Sequence, residues 1–159
     1  MTTQELNDIL NRLCGLEAEN EIVEFKEAKS NYDFTKLGKY FSALSNEANL
    51  KGKPFGWLVF GIEDKKHNIV GSIYRSKRKD LDSLKGEMAN KTTNRISFID
   101  IHEVNLPEGR VVMFQIPAAP KGIPTAFDGH YYARDGEELV PLNIKKIERI
   151  RAQATKEDW

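Results

Sequence analysis

Glu19-Asn-Glu-Ile-Val-Glu24-Phe-Lys26 alternates between polar and apolar residues. On an extended chain Val23 and Phe25 point to one face and Glu24 and Lys26 to the other, because strand side chains have a period of two. A carboxylate and an ammonium are therefore expected to share one surface. Downstream, Gly56-Trp-Leu-Val-Phe-Gly-Ile-Glu-Asp64 is a continuous apolar run of aromatic and β-branched residues that ends in acid, the pattern of a strand covered on both faces. Between the two, Leu37, Tyr40, Phe41, Leu44 and Ala48 lie near helical spacing, with Asp33 placed as an N-cap. Strand, helix, strand predicts a crossover between parallel strands. The end of the first strand and the Glu63–Asp64 corner then share one edge of the sheet, where Glu19, Glu24 and Asp64 are expected to converge.

The remaining elements follow from local signals. Thr2-Thr-Gln-Glu5 has the form of a capping box, and Leu6, Ile9, Leu10 and Leu13 make one helical stripe ending near Gly15. Lys65 to Asn68 reads as a turn into a short strand, Ile69-Val-Gly71. Leu81, Leu84 and Met88 mark a helix that precedes Thr92. Residues 96–104 and 111–116 form a hairpin through the turn-rich Asn105-Leu-Pro-Glu-Gly109. After a Pro/Gly loop, His130-Tyr-Tyr-Ala-Arg134 is a strand running into an Asp-Gly turn, and Asn143 caps a last helix carrying Ile144, Ile147 and Ile150. The expected fold class is α/β of mixed α+β type: a βαβ-like unit plus β-hairpins in a mixed sheet flanked by helices.

A chain of 159 residues that is 40% hydrophobic can bury one core, so residues 1–159 are expected to form a single domain, read as the N-terminal part of a longer protein. No apolar run approaches the roughly 20 residues that span a bilayer, and the start of the chain lacks a basic-then-apolar leader pattern. These features predict a cytoplasmic location and no membrane partner. The lone Cys14 cannot form an internal disulfide and reads as a packed thiol on the first helix.

Formal net charge is zero but unevenly spread: residues 1–50 carry 5 basic and 9 acidic side chains, whereas residues 51–100 carry 11 basic and 6 acidic. The positive stretch peaks at Arg75-Ser-Lys-Arg-Lys79, a pattern shared by phosphate-binding clusters and solvated charged faces. There is no Gly-x-x-x-x-Gly-Lys-Ser/Thr loop to cradle nucleotide phosphates, which argues against a P-loop ATPase. A Gly-x-Gly-x-x-Gly turn is also missing after the first strand, which argues against a dinucleotide fold. His67, His102 and His130 are far apart and have no cysteine pairs beside them, so a structural zinc site has no support.

An ordered set of motifs carries a family resemblance. Glu19 and Glu24-Phe-Lys26 come first, then Ser42-Ala-Leu-Ser-Asn46, Gly61-Ile-Glu-Asp64 and Ile69-Val-Gly71, and finally Tyr131-Tyr-Ala-Arg134-Asp-Gly136. Over about residues 17–140 the chain resembles the Schlafen-type AlbA domain, a nucleic-acid-binding domain of bacterial regulators and helicase-related proteins. In Schlafen nucleases, which cut transfer RNA and related RNAs, two glutamates and a downstream aspartate form a metal-dependent triad. The resemblance implies Glu19, Glu24 and Asp64 for those positions, with Glu63 as the alternative to Asp64. Such carboxylates would hold Mg²⁺ or Mn²⁺ and activate water against a phosphate. The chain departs from many relatives in Asn46-Glu-Ala-Asn-Leu-Lys-Gly-Lys-Pro-Phe-Gly56, which is longer and lacks a double glycine.

Three functions follow as expectations. The first is a binding module in which Lys26, Arg75, Lys77, Arg78, Lys79 and Arg134 line a groove that grips the phosphates of RNA or DNA. The second is a Mg- or Mn-dependent endoribonuclease using Glu19, Glu24 and Asp64. The third is a protein-interaction scaffold whose charge serves solvation. A homodimer is compatible with each.

Overall fold

A computed structural model describes residues 1–15 and 22–154. Thr2 caps α1 (Thr3–Cys14) through a reciprocal box with Glu5. The alternating segment forms β1 (Val23–Lys26), and Asp33 caps α2 (Phe34–Leu50) by accepting from the Lys36 amide at 2.9 Å. The apolar run is β2 (Phe55–Phe60), which pairs with β1 in parallel, Glu24 opposite Leu58. There follow α3 (Arg78–Ala89), a 3₁₀ turn (Thr93–Arg95), and the hairpin β3 (Asp100–Leu106) and β4 (Gly109–Pro117). Strand order in this mixed sheet is β1-β2-β4-β3, so β1 and β3 are its opposite edges. A second, antiparallel sheet contains β5 (Ala126–Phe127), β6 (His130–Asp135) and β7 (Glu138–Pro141), followed by α4 (Ile144–Arg151) capped by Asn143.

The period of two decides which helix each strand residue meets. Val23, Phe25, Trp57, Val59 and Met113 pack against Leu6, Leu10 and Leu13 of α1. Leu58, Phe60, Phe114 and Ile101 face the other way, onto Leu37, Phe41 and Leu44 of α2 and Leu81, Leu84 and Met88 of α3. The mixed sheet thus has α1 on one face and α2 with α3 on the other. Glu24 and Lys26 belong to the α2 face.

Two expectations change in detail. Ile69-Val-Gly71 does not extend into a strand: it makes one bridge, Ile62 to Ile69. The chain there is pinned backbone to backbone, Val70 N–H to Gly61 O at 2.8 Å and Ser72 N–H to Arg110 O at 2.8 Å, with Gly61 and Gly71 at positive φ. A Cβ at Gly61 would lie 2.7 Å from the Arg110 carbonyl, which only glycine avoids. The strand expected from Ile96 starts at Asp100, because Ile96 still closes the 3₁₀ turn and the Ser97 hydroxyl donates to Lys85 O at 2.6 Å.

The second sheet docks on α2 by a polar seam as well as an apolar one. Ser42 Oγ donates to Thr125 O at 2.7 Å and accepts from Tyr132 N–H at 3.0 Å. The Asn46 amide donates to Thr125 O and Tyr132 O and accepts from Thr125 N–H, while Ser45 and Thr125 hydroxyls meet at 2.8 Å. Gly38 lets the Phe127 ring lie directly on the helix, where a Cβ would overlap it. Asn46→Ala should therefore cost about 1–3 kcal/mol, since it strips partners from backbone groups in a buried seam. Urea unfolding would show this; a change within error would mean that water replaces the amide.

Candidate nucleic-acid interface

The residues singled out from sequence fall into four places. Glu19 lies outside the described residues. Glu24 is buried on the α2 face with both oxygens engaged: Oε1 is 3.2 Å from Lys26 Nζ and Oε2 is 2.9 Å from Arg134 Nη2. Asp64 is exposed in the turn after β2. That turn closes toward α1: the His67 ring packs on Phe25 at 4.3 Å, and its Nδ1 lies 3.0 Å from Cys14 O. Among the described residues no group of three or more His, Cys, Asp or Glu is arranged to hold a metal ion. Glu24 is paired with two cations, and Asp64 lies in an exposed turn that packs toward α1.

Arg134 is fully buried. Its guanidinium donates to Val23 O at 2.7 Å and pairs with Glu24, so it joins β6 to β1 inside the protein instead of facing a ligand. Next to it Glu47, also buried, accepts from Lys146 Nζ at 2.7 Å, and that ammonium reaches Arg134 O at 3.0 Å. Buried charges persist when paired and hydrogen-bonded. Here they tie α2, α4, β1 and β6 together.

The basic cluster divides as well. Arg75 makes a two-pronged contact with Glu87, at 2.6 and 3.0 Å. Arg78 engages Asp82 at 3.0 Å and donates to Ile101 O at 2.7 Å. Lys77 and Lys79 are exposed and make no ion pair with a described residue. The Arg78–Ile101 contact sets the start of α3 over β3, the far edge from β1. β1 is therefore about 14 Å from that edge, across three strand spacings. Arg75, in contrast, follows Ile73, whose N–H donates to Lys29 O just past β1, so the cluster spreads from one edge of the sheet to the other and does not line one groove with Lys26 and the buried Arg134.

What the fold does gather is a cationic and aromatic surface along α2 and β6. Lys39 Nζ lies 5.8 Å over the half-buried Tyr132 ring, with His130 6.5 Å from Tyr132, while Lys26 Nζ lies 5.0 Å over Tyr40, a ring buried in the core below. Burial opposes the charge of Lys26, but Glu24 and Tyr40 outweigh it and hold its pKa above the ordinary lysine range. Lys26 is a fixed cation at neutral pH. Lys39 has no acidic partner among the described residues, so its charge is available. Lys39 was not singled out from sequence; its only signal was a cation next to Tyr40 on the polar border of a helix. Cys14 is half-buried, and burial pushes its thiol pKa up, as suits a packed side chain.

No helix among the described residues is long and apolar enough to cross a membrane. No curated protein matches the chain. In fold it is similar to the DIP2311 protein from Corynebacterium diphtheriae, with a TM-score of 0.64 and 20% identity over 96% of this chain. The match covers 29% of that longer protein. It is also similar to the N-terminal domain of an ATP-dependent DNA helicase RecG-related protein from Nitrosomonas europaea, with a TM-score of 0.52 and 17% identity over 82% of this chain and 89% of that one. The family model described as Schlafen, AlbA_2 matches residues 19–143, most of the length over which the motifs were read. With the parallel β1–β2 unit, the buried Ser42–Asn46 seam and the β6 strand all inside that span, this chain belongs to the Schlafen AlbA_2 family.

Proposed function

We propose that the domain is a nucleic-acid-binding module that holds the phosphate backbone of RNA or DNA. The observation that carries this reading is the α2–β6 surface, where Lys39 sits on the half-buried Tyr132 ring and has no acidic partner among the described residues. An ammonium attracts phosphates, and the exposed part of the Tyr132 ring beside it adds a sequence-tolerant contact for bases. Lys77 and Lys79, exposed at the far edge of the sheet and without an ion pair among the described residues, form a separate positive patch. Family membership supports the reading, and so does the shared fold of the RecG-related N-terminal domain.

The test is fluorescence anisotropy with labelled single strands and duplexes over a range of salt concentrations. Affinity is expected to fall with log salt, and Lys39→Ala to reduce the slope on a single strand by about 0.7, the share of one phosphate contact. Salt-insensitive or absent binding would favour the scaffold reading. The nuclease reading is separated by incubating RNA with Mg²⁺ or Mn²⁺ and either wild type or Glu24→Gln. No metal-dependent cleavage is expected from either, because Lys26 and Arg134 already occupy the Glu24 carboxylate. Cleavage by wild type that Glu24→Gln abolishes would overturn the pure binding module.

A further inference from the structure

Beyond the α2–β6 surface, a cleft of about 390 Å³ opens between the end of α3, the 3₁₀ turn and the β5–β6 turn. Its walls are stapled together. Asp128 N–H donates to Lys91 O at 2.7 Å, Ala126 N–H donates to Thr93 Oγ1 at 3.1 Å, and Thr92 bridges Phe127. Three non-glycine residues around it, Asn94, Arg95 and Asp128, are held at φ of 55°, 56° and 51°. Asn and Asp adopt this region readily, whereas for Arg95 it is costly and persists because the surroundings enforce it. The cleft is therefore a preorganised shape.

Its chemistry suits one kind of ligand. Tyr131 is 42% exposed and lines the cleft. It lies on the opposite face of β6 from Tyr132, so its ring is not committed to the α2 seam. Asn90 Oδ1 accepts from Arg95 Nη1 at 2.8 Å, which fixes the amide and leaves its two N–H donors without a partner among the described residues. The Asp128 carboxylate, likewise unpartnered there, supplies acceptors. A ring face, a donor pair and an acceptor are what an unpaired nucleobase uses when it stacks and is bonded along its edge. Exposed Lys91 at the rim gives the flanking phosphate a cation.

We propose that this cleft takes one unpaired base of a single strand, stacked on Tyr131 and bonded at its edge by Asn90 and Asp128. The proposal rests on the binding-module reading and deepens it: the domain prefers single-stranded nucleic acid. A base within a duplex has both faces covered and cannot enter. Tyr131 is exposed, so its replacement leaves the fold intact, as melting of the variant would verify.

The experiment compares wild type, Tyr131→Ala and Tyr131→Phe by anisotropy on a labelled single strand, the matched duplex, and the same strand made abasic. Tyr131→Ala is expected to weaken the single strand roughly five- to a hundred-fold, the loss of one base stack, and to leave the duplex unchanged. Tyr131→Phe keeps the wild-type affinity, and the abasic strand binds wild type as weakly as the intact strand binds Tyr131→Ala. Unchanged single-strand binding by Tyr131→Ala, equal losses on strand and duplex, or an abasic strand that binds normally would each overturn the base pocket. If wild type still binds in a salt-dependent way, the module reading survives that result. If wild type binds neither strand nor duplex, both fall.

Discussion

Arg134→Ala should lower stability by about 3–5 kcal/mol, because it removes one partner of a buried ion pair and leaves the other buried. The guanidinium carries two duties, the ion pair with the Glu24 carboxylate and the hydrogen bond to the Val23 carbonyl, and both are lost together. Glu24 has only 4% of its side chain exposed, so water cannot take over, and Lys26 remains as its one cation. Urea denaturation would measure the loss. Glu24→Gln in the Arg134→Ala background should recover part of it, since the amide carries no charge to strand. At temperatures where the single variant is still folded, its affinity for nucleic acid should match wild type. Full stability with weakened binding would instead make Arg134 a surface contact and refute the buried joint.

Phe25→Ala is expected to cost a similar amount, about 3–5 kcal/mol, by opening a cavity in a fully buried site. Its ring stands between the sheet and the Leu6–Leu13 stripe of α1 and also supports His67, so the loss falls on the α1 face. The Lys39–Tyr132 surface lies on the other side of the sheet and should keep its affinity below the melting temperature. Calorimetry and anisotropy on the same preparation give both readings. Unaltered melting with lost binding would place Phe25 in the ligand site.

Much of the fold was legible because its signals are local. Capping by Thr2, Asp33 and Asn143 depends on residues three positions apart, and each of these caps forms. Alternation along Val23–Lys26 assigned the faces of β1, and the strand-helix-strand order gave a parallel pair. The bridge-only Ile69 segment and the late start of β3 escaped that reading. Both are set by contacts with Arg110 and Lys85, distant in sequence.

The candidate site shows the same division more sharply. Composition and motif order alone determined the family, the mixed α+β class, and the pairing of a carboxylate with an ammonium on one face of β1. Which cations face solvent was decided by tertiary structure. Arg134 looks like a surface arginine beside an Asp-Gly turn, yet β6 crosses α2 and delivers it to Glu24, 110 positions earlier in the chain. Arg75 and Arg78 look equivalent to Lys77 and Lys79, but the arginines find Glu87, Asp82 and the Ile101 carbonyl, while the lysines find no acid among the described residues. A charge is free or spent according to partners brought close by folding, and Coulomb attraction over a few ångströms does not depend on separation along the chain.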